Sequence, residues 1–358
     1  MKKALVLGYG RSGKAAETVL KSRGYEVTVA DGYDLVVASP GLPVESELQL
    51  GVLALRERGV KMLAVTGSKG KSSVVKVVAD GLTRAGHPAV ACGNYGLPVC
   101  AVGDCEWAVV EVSSFQLETT HLPPDAFEAA AVLNLQEDHL DRHGSVDVYH
   151  ALKRTLLAMA KTAVDETTVD ESSAPLLSGS YFDNPVLKGN GLMAVALMKA
   201  AGLAESDIRA AFATFEPLPH RMNEIGVFGG LRCIDDSKAT SLAALAAGVV
   251  MAGASPIRLI AGGLPKGDDP NSVVKLLTER VKKVYLIGKC AEVFAEAWSE
   301  AVDCEVCGTM ERAVASAMRD AGNGEILLLS PGTASFDQFK SFGERGDVFA
   351  ELVQKEGR

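Results

Sequence analysis

Short apolar runs rich in β-branched residues alternate with longer alanine-rich stretches of helical period along the whole chain. That alternation predicts an α/β fold, parallel sheets covered by helices. The first run, ALVLG, leads through a glycine turn into a helix over KAAETVLKSRG, then strands at YEVTVAD and LVVASPG, a small Rossmann-like unit. A second unit opens at KMLAVTG, continues through strands AVVEV and AAAVLNL, and reaches a helix near Tyr149–Lys161. Residues 165–185 turn acidic and serine-rich, which suits a loop or excursion better than core. Helical periodicity returns in GLMAVALMKAAGL and SDIRAAFATF, and the prolines of EPLPHR mark a boundary. Beyond it, strands LRCID, IRLIAG, KVYLIG and EILLLSP alternate with four amphipathic helices, a second doubly wound unit.

A chain of 358 residues has room for two or three domains. The pattern places them at 1–58, 59–219 and 220–358. A net charge of -9 disfavours nucleic acid or an anionic membrane as partner. Glycines interrupt the N-terminal apolar run where a signal peptide would continue, and no run is long enough to span a bilayer, so a cytoplasmic location is expected. The seven cysteines are scattered and read as reduced thiols.

The strongest local chemistry is AVTGSKGKSS, where a strand ends at Thr66 and a helix begins near Ser72. Gly67, Ser68, Lys69 and Gly70 turn backbone N–H groups toward a phosphate, Lys71 can reach the β- and γ-phosphates, and Ser72 or Ser73 can place a hydroxyl on Mg2+. It is a shortened P-loop, because Val65 stands where the standard pattern has its first glycine. Glu111, closing the strand AVVEV, is either a Mg2+ ligand or a buried structural carboxylate. His139, in NLQEDHLDRH, is either a metal ligand or a surface histidine in a charged turn, and Lys153 on the next helix would ordinarily be solvated. Gly8, Gly10 and Gly13 with Asp31 also fit a dinucleotide fingerprint, a weak pointer to NAD when it stands alone.

Taken together, TGSKGKS, GNYGLP, EVSSFQLE, NLQEDHLDRH, LPHR, DDSKAT and SPGTASFDQFKSFGERG occur in the order found in the Mur ligases, which the chain resembles over all three proposed domains. SPGTASFDQF and FGERG are most similar to the D-glutamate-adding branch. The resemblance implies a three-domain enzyme that uses ATP and two Mg2+ ions to join D-glutamate to UDP-N-acetylmuramoyl-L-alanine, acting as a monomer. It implies catalytic roles for Lys71, Glu111, His139, Lys153 and Lys238, with Ser72, Glu111, His139 and a carbamylated Lys153 as metal ligands. It places Arg221 and Asp236 on ATP, and Thr240, Lys266, Ser335 and Phe342 on D-glutamate. The UDP part of the acceptor falls to Gly10, Arg11, Ser12, Asp31, Ser39, Pro40, Gly41, Asn94 and Ser113. Three departures stand out. The chain is short for the family, Met193 stands where an adenine-contacting asparagine is usual while Asn190 keeps the place of its partner, and Gly32 and Tyr33 follow Asp31 in place of a basic residue.

Overall fold

The computed structural model describes residues 2–32 and 45–356, which fall into two compact units, 1–215 and 216–358. The chain therefore divides at Phe215, at the start of the proline-marked boundary. The stretch LVVASPG lies outside the described residues, and with it Ser39, Pro40 and Gly41.

Among the described residues the first unit holds two sheets. β1 (Lys2–Leu7) and β2 (Tyr25–Ala30) pair in parallel across the helix α1 (Arg11–Ser22). Then α2 (Glu47–Glu57), capped by Ser46, leads to β3 (Lys61–Thr66), α3 (Lys71–Arg84), β4 (Ala89–Gly93), β5 (Trp107–Glu111), α4 (Ser114–Leu117) and β6 (Phe127–Val132). The unit closes with α5 (Leu140–His143), α6 (Val146–Arg154), β7 (Ala160–Val164), α7 (Lys188–Ala200) and α8 (Glu205–Ala213). Its main sheet is parallel throughout, in the order β4-β5-β3-β6-β7.

Side-chain alternation along β3 explains why both faces are covered. Leu63 and Val65 point into a core filled by α3, α7 and α8, while Met62 and Ala64 point into one built with Leu48, Val52 and Leu55 of α2. Helix α2 falls within the proposed first domain, yet its apolar face is core of this five-stranded sheet. Residues 165–185, expected as an excursion, instead form a 3₁₀ turn at Glu171–Leu177 that buries Leu176, Leu177 and Phe182 against α7 and α8. Apolar positions spaced too irregularly for either period still make core when a neighbouring helix pair offers a groove.

The second unit runs β8 (Asn223–Phe228), β9 (Leu231–Asp235), α9 (Leu242–Met251), β10 (Ile257–Gly262), α10 (Val274–Arg280), β11 (Val281–Ile287), α11 (Ala291–Trp298), β12 (Asp303–Gly308), α12 (Met310–Arg319), β13 (Ile326–Leu329) and α13 (Phe342–Glu356). The sheet order is β12-β11-β10-β13-β9-β8, with only β8 antiparallel to its neighbour. Helices α9 to α11 cover one face, and α12 and α13 the other. Among the described residues no helix is long and apolar enough to cross a membrane.

Candidate active site

In the first unit the chemistry gathers at the carboxyl ends of β3, β5 and β6, where open parallel sheets bind ligands. The loop after β3 needs its glycines. Gly67 has φ 147° and Gly70 φ 85°, and a side chain on Gly70 would run into the Asn190 amide. Asn134, just past β6, pins the loop by accepting from the Lys69 N–H (2.9 Å) and donating to the Lys69 carbonyl (2.8 Å) and to Asn190 (3.0 Å). Ser68 is buried and exchanges bonds with the Gln136 backbone, so its hydroxyl ties two loops together and leaves only backbone for a phosphate. Ser72 lies half-buried at the start of α3, whereas Ser73 is buried. Lys71 Nζ donates to the carbonyls of Gly67 (2.8 Å) and Ser68 (3.2 Å), and Lys69 pairs with Asp138 at 3.1 Å.

Lys153, expected in solvent, is 1% exposed, its Nζ donating to the Gly67 carbonyl at 3.0 Å. It also sits over the Tyr149 ring at 4.7 Å. Burial, reinforced by the Lys71 ammonium, pulls its pKa down to about 7. Glu111 is buried at the end of β5; its Oε1 accepts from Asn94 (2.8 Å), while its Oε2 is buried without any partner. An orphaned carboxylate oxygen beside this glycine loop fits a cation ligand, because a bare buried oxygen is otherwise costly. His139 caps α5 in a left-handed conformation (φ 54°) with its ring edge-on to Phe115 at 5.1 Å. No three His, Cys, Asp or Glu side chains converge among the described residues.

Of the residues expected at the UDP part, Gly10 precedes α1, Ser12 and Asp31 are exposed, and Arg11 donates to the Gly96 carbonyl at 2.8 Å. That bond joins the first glycine turn to the loop that carries Asn94. Ser113 acts as the N-cap of α4, in a capping box with Gln116.

In the second unit, the loops after β9, β10 and β13 meet at one edge. Gly332 N–H donates to the Ala239 carbonyl, and Leu264 pairs with Ala334. Asp236 is buried, accepts from Ser330 at 2.9 Å, and is pushed up to about 7 by burial. Lys238 lies over the Phe342 ring at 3.9 Å, and burial together with Arg221 and Lys266 holds it below the ordinary lysine range. Thr240 is half-buried, Ser335 buried and Lys266 exposed.

Arg345, missed in the sequence, organises this edge. Fully buried, it donates to the Ser237 hydroxyl (3.0 Å) and carbonyl (2.9 Å), and to the carbonyls of Thr333 (3.1 Å) and Ala334 (3.3 Å). A charge held only by neutral acceptors keeps its field, and burial lowers its pKa to about 10. Met193, by contrast, is a core residue of the first unit.

A model of the Mur ligase middle domain matches residues 65–172, the segment that holds the glycine loop after β3, Glu111, His139 and Lys153. Similarity extends well beyond it. The UDP-N-acetylmuramoylalanine–D-glutamate ligase of Acidobacterium capsulatum is 32% identical over 98% of this chain and 96% of its own length. The chain belongs to the Mur ligase family. The ligase of the same name from Chlamydia caviae is 31% identical over 98% of this chain and 97% of its own. The first alignment spans 446 positions against a chain of 358 residues, so that relative carries stretches this Mur ligase lacks. Among solved structures, the MurF ligase of Thermotoga maritima in complex with ADP superposes with a TM-score of 0.63 at 16% identity, over 99% of this chain and 95% of its own. The UDP-N-acetylmuramate-alanine ligase of the same organism gives 0.62 at 14%, over 99% of both chains. At such identities the likeness speaks for the fold.

Proposed function

We propose that this Mur ligase joins D-glutamate to UDP-N-acetylmuramoyl-L-alanine at the expense of ATP, in the cytoplasm and as a monomer. The observation that carries the reading is the phosphate loop with Lys71 and Lys69 beside the partnerless Glu111 oxygen, in a chain that aligns end to end with ligases of that name. The acceptor carboxylate takes the γ-phosphoryl group of ATP, releasing ADP. The amino group of D-glutamate then attacks the acyl carbon, phosphate departs with the C–O bonding pair, and the nitrogen sheds its proton to leave an amide. Lys71 and the loop N–H groups neutralise charge on the transferring group, a positioning and electrostatic role.

Mg2+ supplies the remaining charge neutralisation, with Ser72, Glu111 and His139 as the residues to hold it. A lysine pulled down to about 7 is partly a neutral amine at cellular pH, and a neutral amine can add CO2; carbamylated Lys153 would then present an anion to the metal. We read Asn94, Arg11, Ser12, Gly10, Asp31 and Ser113 as the acceptor side, and Arg221 and Asp236 as ATP contacts. Thr240, Lys266, Ser335, Phe342 and Lys238 form the D-glutamate side, where a cationic and hydroxyl lining suits two carboxylates.

Phosphate release from ATP with UDP-N-acetylmuramoyl-L-alanine, Mg2+ and bicarbonate tests the reading, comparing D-glutamate with L-glutamate, L-lysine, meso-diaminopimelate and no amino acid. Release stimulated by D-glutamate alone is the expected result. Stimulation by another amino acid reassigns the specificity, and none with any of them overturns the activity.

A further inference from the structure

His143 lies outside every role assigned above, yet it is buried beside the site and contacts several of its neighbours. It stands at the last position of α5, and its side chain is 2% exposed. Nε2 lies 3.0 Å from Ser114 Oγ, and Nδ1 lies 3.3 Å from Glu118 Oε1. Glu118 therefore faces the Nδ1 edge of the ring, while Nε2 shares a hydrogen bond with the Ser114 hydroxyl. Glu118 is itself clamped by Arg142, at 3.2 and 2.7 Å. The His143 ring packs between Phe115 (5.6 Å) and Tyr149 (5.3 Å). Those same two rings flank His139, at 5.1 and 6.3 Å.

The arrangement ties together the two chain segments that the Arg142–Glu118 pair also joins, and His143 does so from inside the protein. Ser114 follows three residues after Glu111, at the start of α4, and His139 opens the short helix that His143 closes. The His139 carbonyl accepts from the N–H groups of Arg142 and His143, so a fixed His143 also fixes the backbone of His139. Helix α5 is a single turn, too short to hold its own shape without such contacts.

We propose that His143 is a positioning residue that sets the separation of Glu111 and His139, by bonding Ser114 and packing beside Glu118 on one segment while carrying His139 on the other. This rests on the reading of Glu111 and His139 as metal-holding residues. Groups behind the ligands commonly change metal affinity by about 10–100-fold when removed.

Mn2+ binding, followed by electron paramagnetic resonance in the presence of ADP and bicarbonate, tests the role without requiring turnover. His143→Ala is expected to weaken Mn2+ binding about tenfold. Ser114→Ala should weaken it less and in the same direction, and His143→Gln, whose amide can still meet Ser114, should recover most of the loss. Melting temperatures recorded alongside separate positioning from folding, because a merely structural role lowers the folded fraction without changing the affinity of what remains. If His143→Ala does not fold, Ser114→Ala decides alone. Unchanged Mn2+ affinity in the folded variants overturns the positioning role and leaves the ligase reading standing. Wild-type protein that binds no Mn2+ with ADP overturns both.

Discussion

Replacing Lys153 by methionine should make the protein more stable and inactive, and the gain should depend on pH in a calculable way. A lysine whose pKa falls from 10.5 to about 7 on folding must lose a proton, or carry a buried charge, wherever the unfolded chain keeps it protonated. The penalty is fully present below pH 7 and is relieved as pH rises through the unfolded value of 10.5. At pH 7 it amounts to about 4 kcal/mol, and at pH 9 to about 2 kcal/mol. Methionine fills nearly the same volume without the charge, but it leaves the Gly67 carbonyl without its 3.0 Å donor, which costs about 1–3 kcal/mol. Net stabilisation by Lys153→Met should therefore be about 2 kcal/mol at pH 7 and close to zero at pH 9. Urea denaturation of both proteins at the two pH values, in buffers purged of CO2, reads the difference directly. A difference that stays constant between pH 7 and pH 9 would refute the reasoning, since only a proton taken up by one state makes it move. Bicarbonate adds a second check: it should stabilise wild type and leave Lys153→Met untouched, because only the amine can be captured.

Three further outcomes are expected. Asp236→Asn keeps the Ser330 bond and removes a buried charge from a group pushed up to about 7; it should match wild type near pH 4 and exceed it by about 4 kcal/mol at pH 8, seen by thermal denaturation. Arg258 and Glu325 form a buried pair at 2.6 Å with side chains 5% and 8% exposed, so Glu325→Leu should cost about 3–5 kcal/mol in urea while leaving nucleotide affinity of the remaining folded protein unchanged. Gly70→Ala meets both the left-handed φ of 85° and the Asn190 amide; a loss of about 1–3 kcal/mol and at least tenfold weaker ADP binding by calorimetry are expected, and unchanged ADP affinity would contradict the assignment of this loop.

The order of strands and helices was readable because both main sheets are mostly parallel and buried, and buried parallel strands announce themselves as apolar runs such as ILLL in EILLLSP and VYLI in KVYLIG, which fall in β13 and β11. Two strands at sheet edges were not read: β12, DCEVCG, is interrupted by charge, and β4, AVACG, is a short run of small residues. The tight turn after β3 was visible from glycine spacing, since Gly67 and Gly70 both take positive φ there. The burial of Lys153 was not, because it depends on Thr66 and Gly67 arriving from more than eighty residues away. Asn134 and Arg345 were hidden for the same reason. Each satisfies backbone groups of a loop remote in sequence, and nothing in the residues around either one announces that work.

The position of β13 has a consequence for how the second unit comes into being during synthesis. That strand, Ile326–Leu329, lies between β10 and β9, although about seventy residues separate it in sequence from the start of the nearer of them. As the chain emerges, β8 and β9 can form one ribbon and β10, β11 and β12 another, each with a bare apolar edge. Neither ribbon can complete the sheet until Leu329 has cleared the ribosome, and then both are joined by one four-residue strand. The interval before that moment is when exposed strand edges invite pairing with other chains. Pausing or truncation just short of residue 326 should therefore yield a species far more prone to aggregate than one stopped at the end of the first unit.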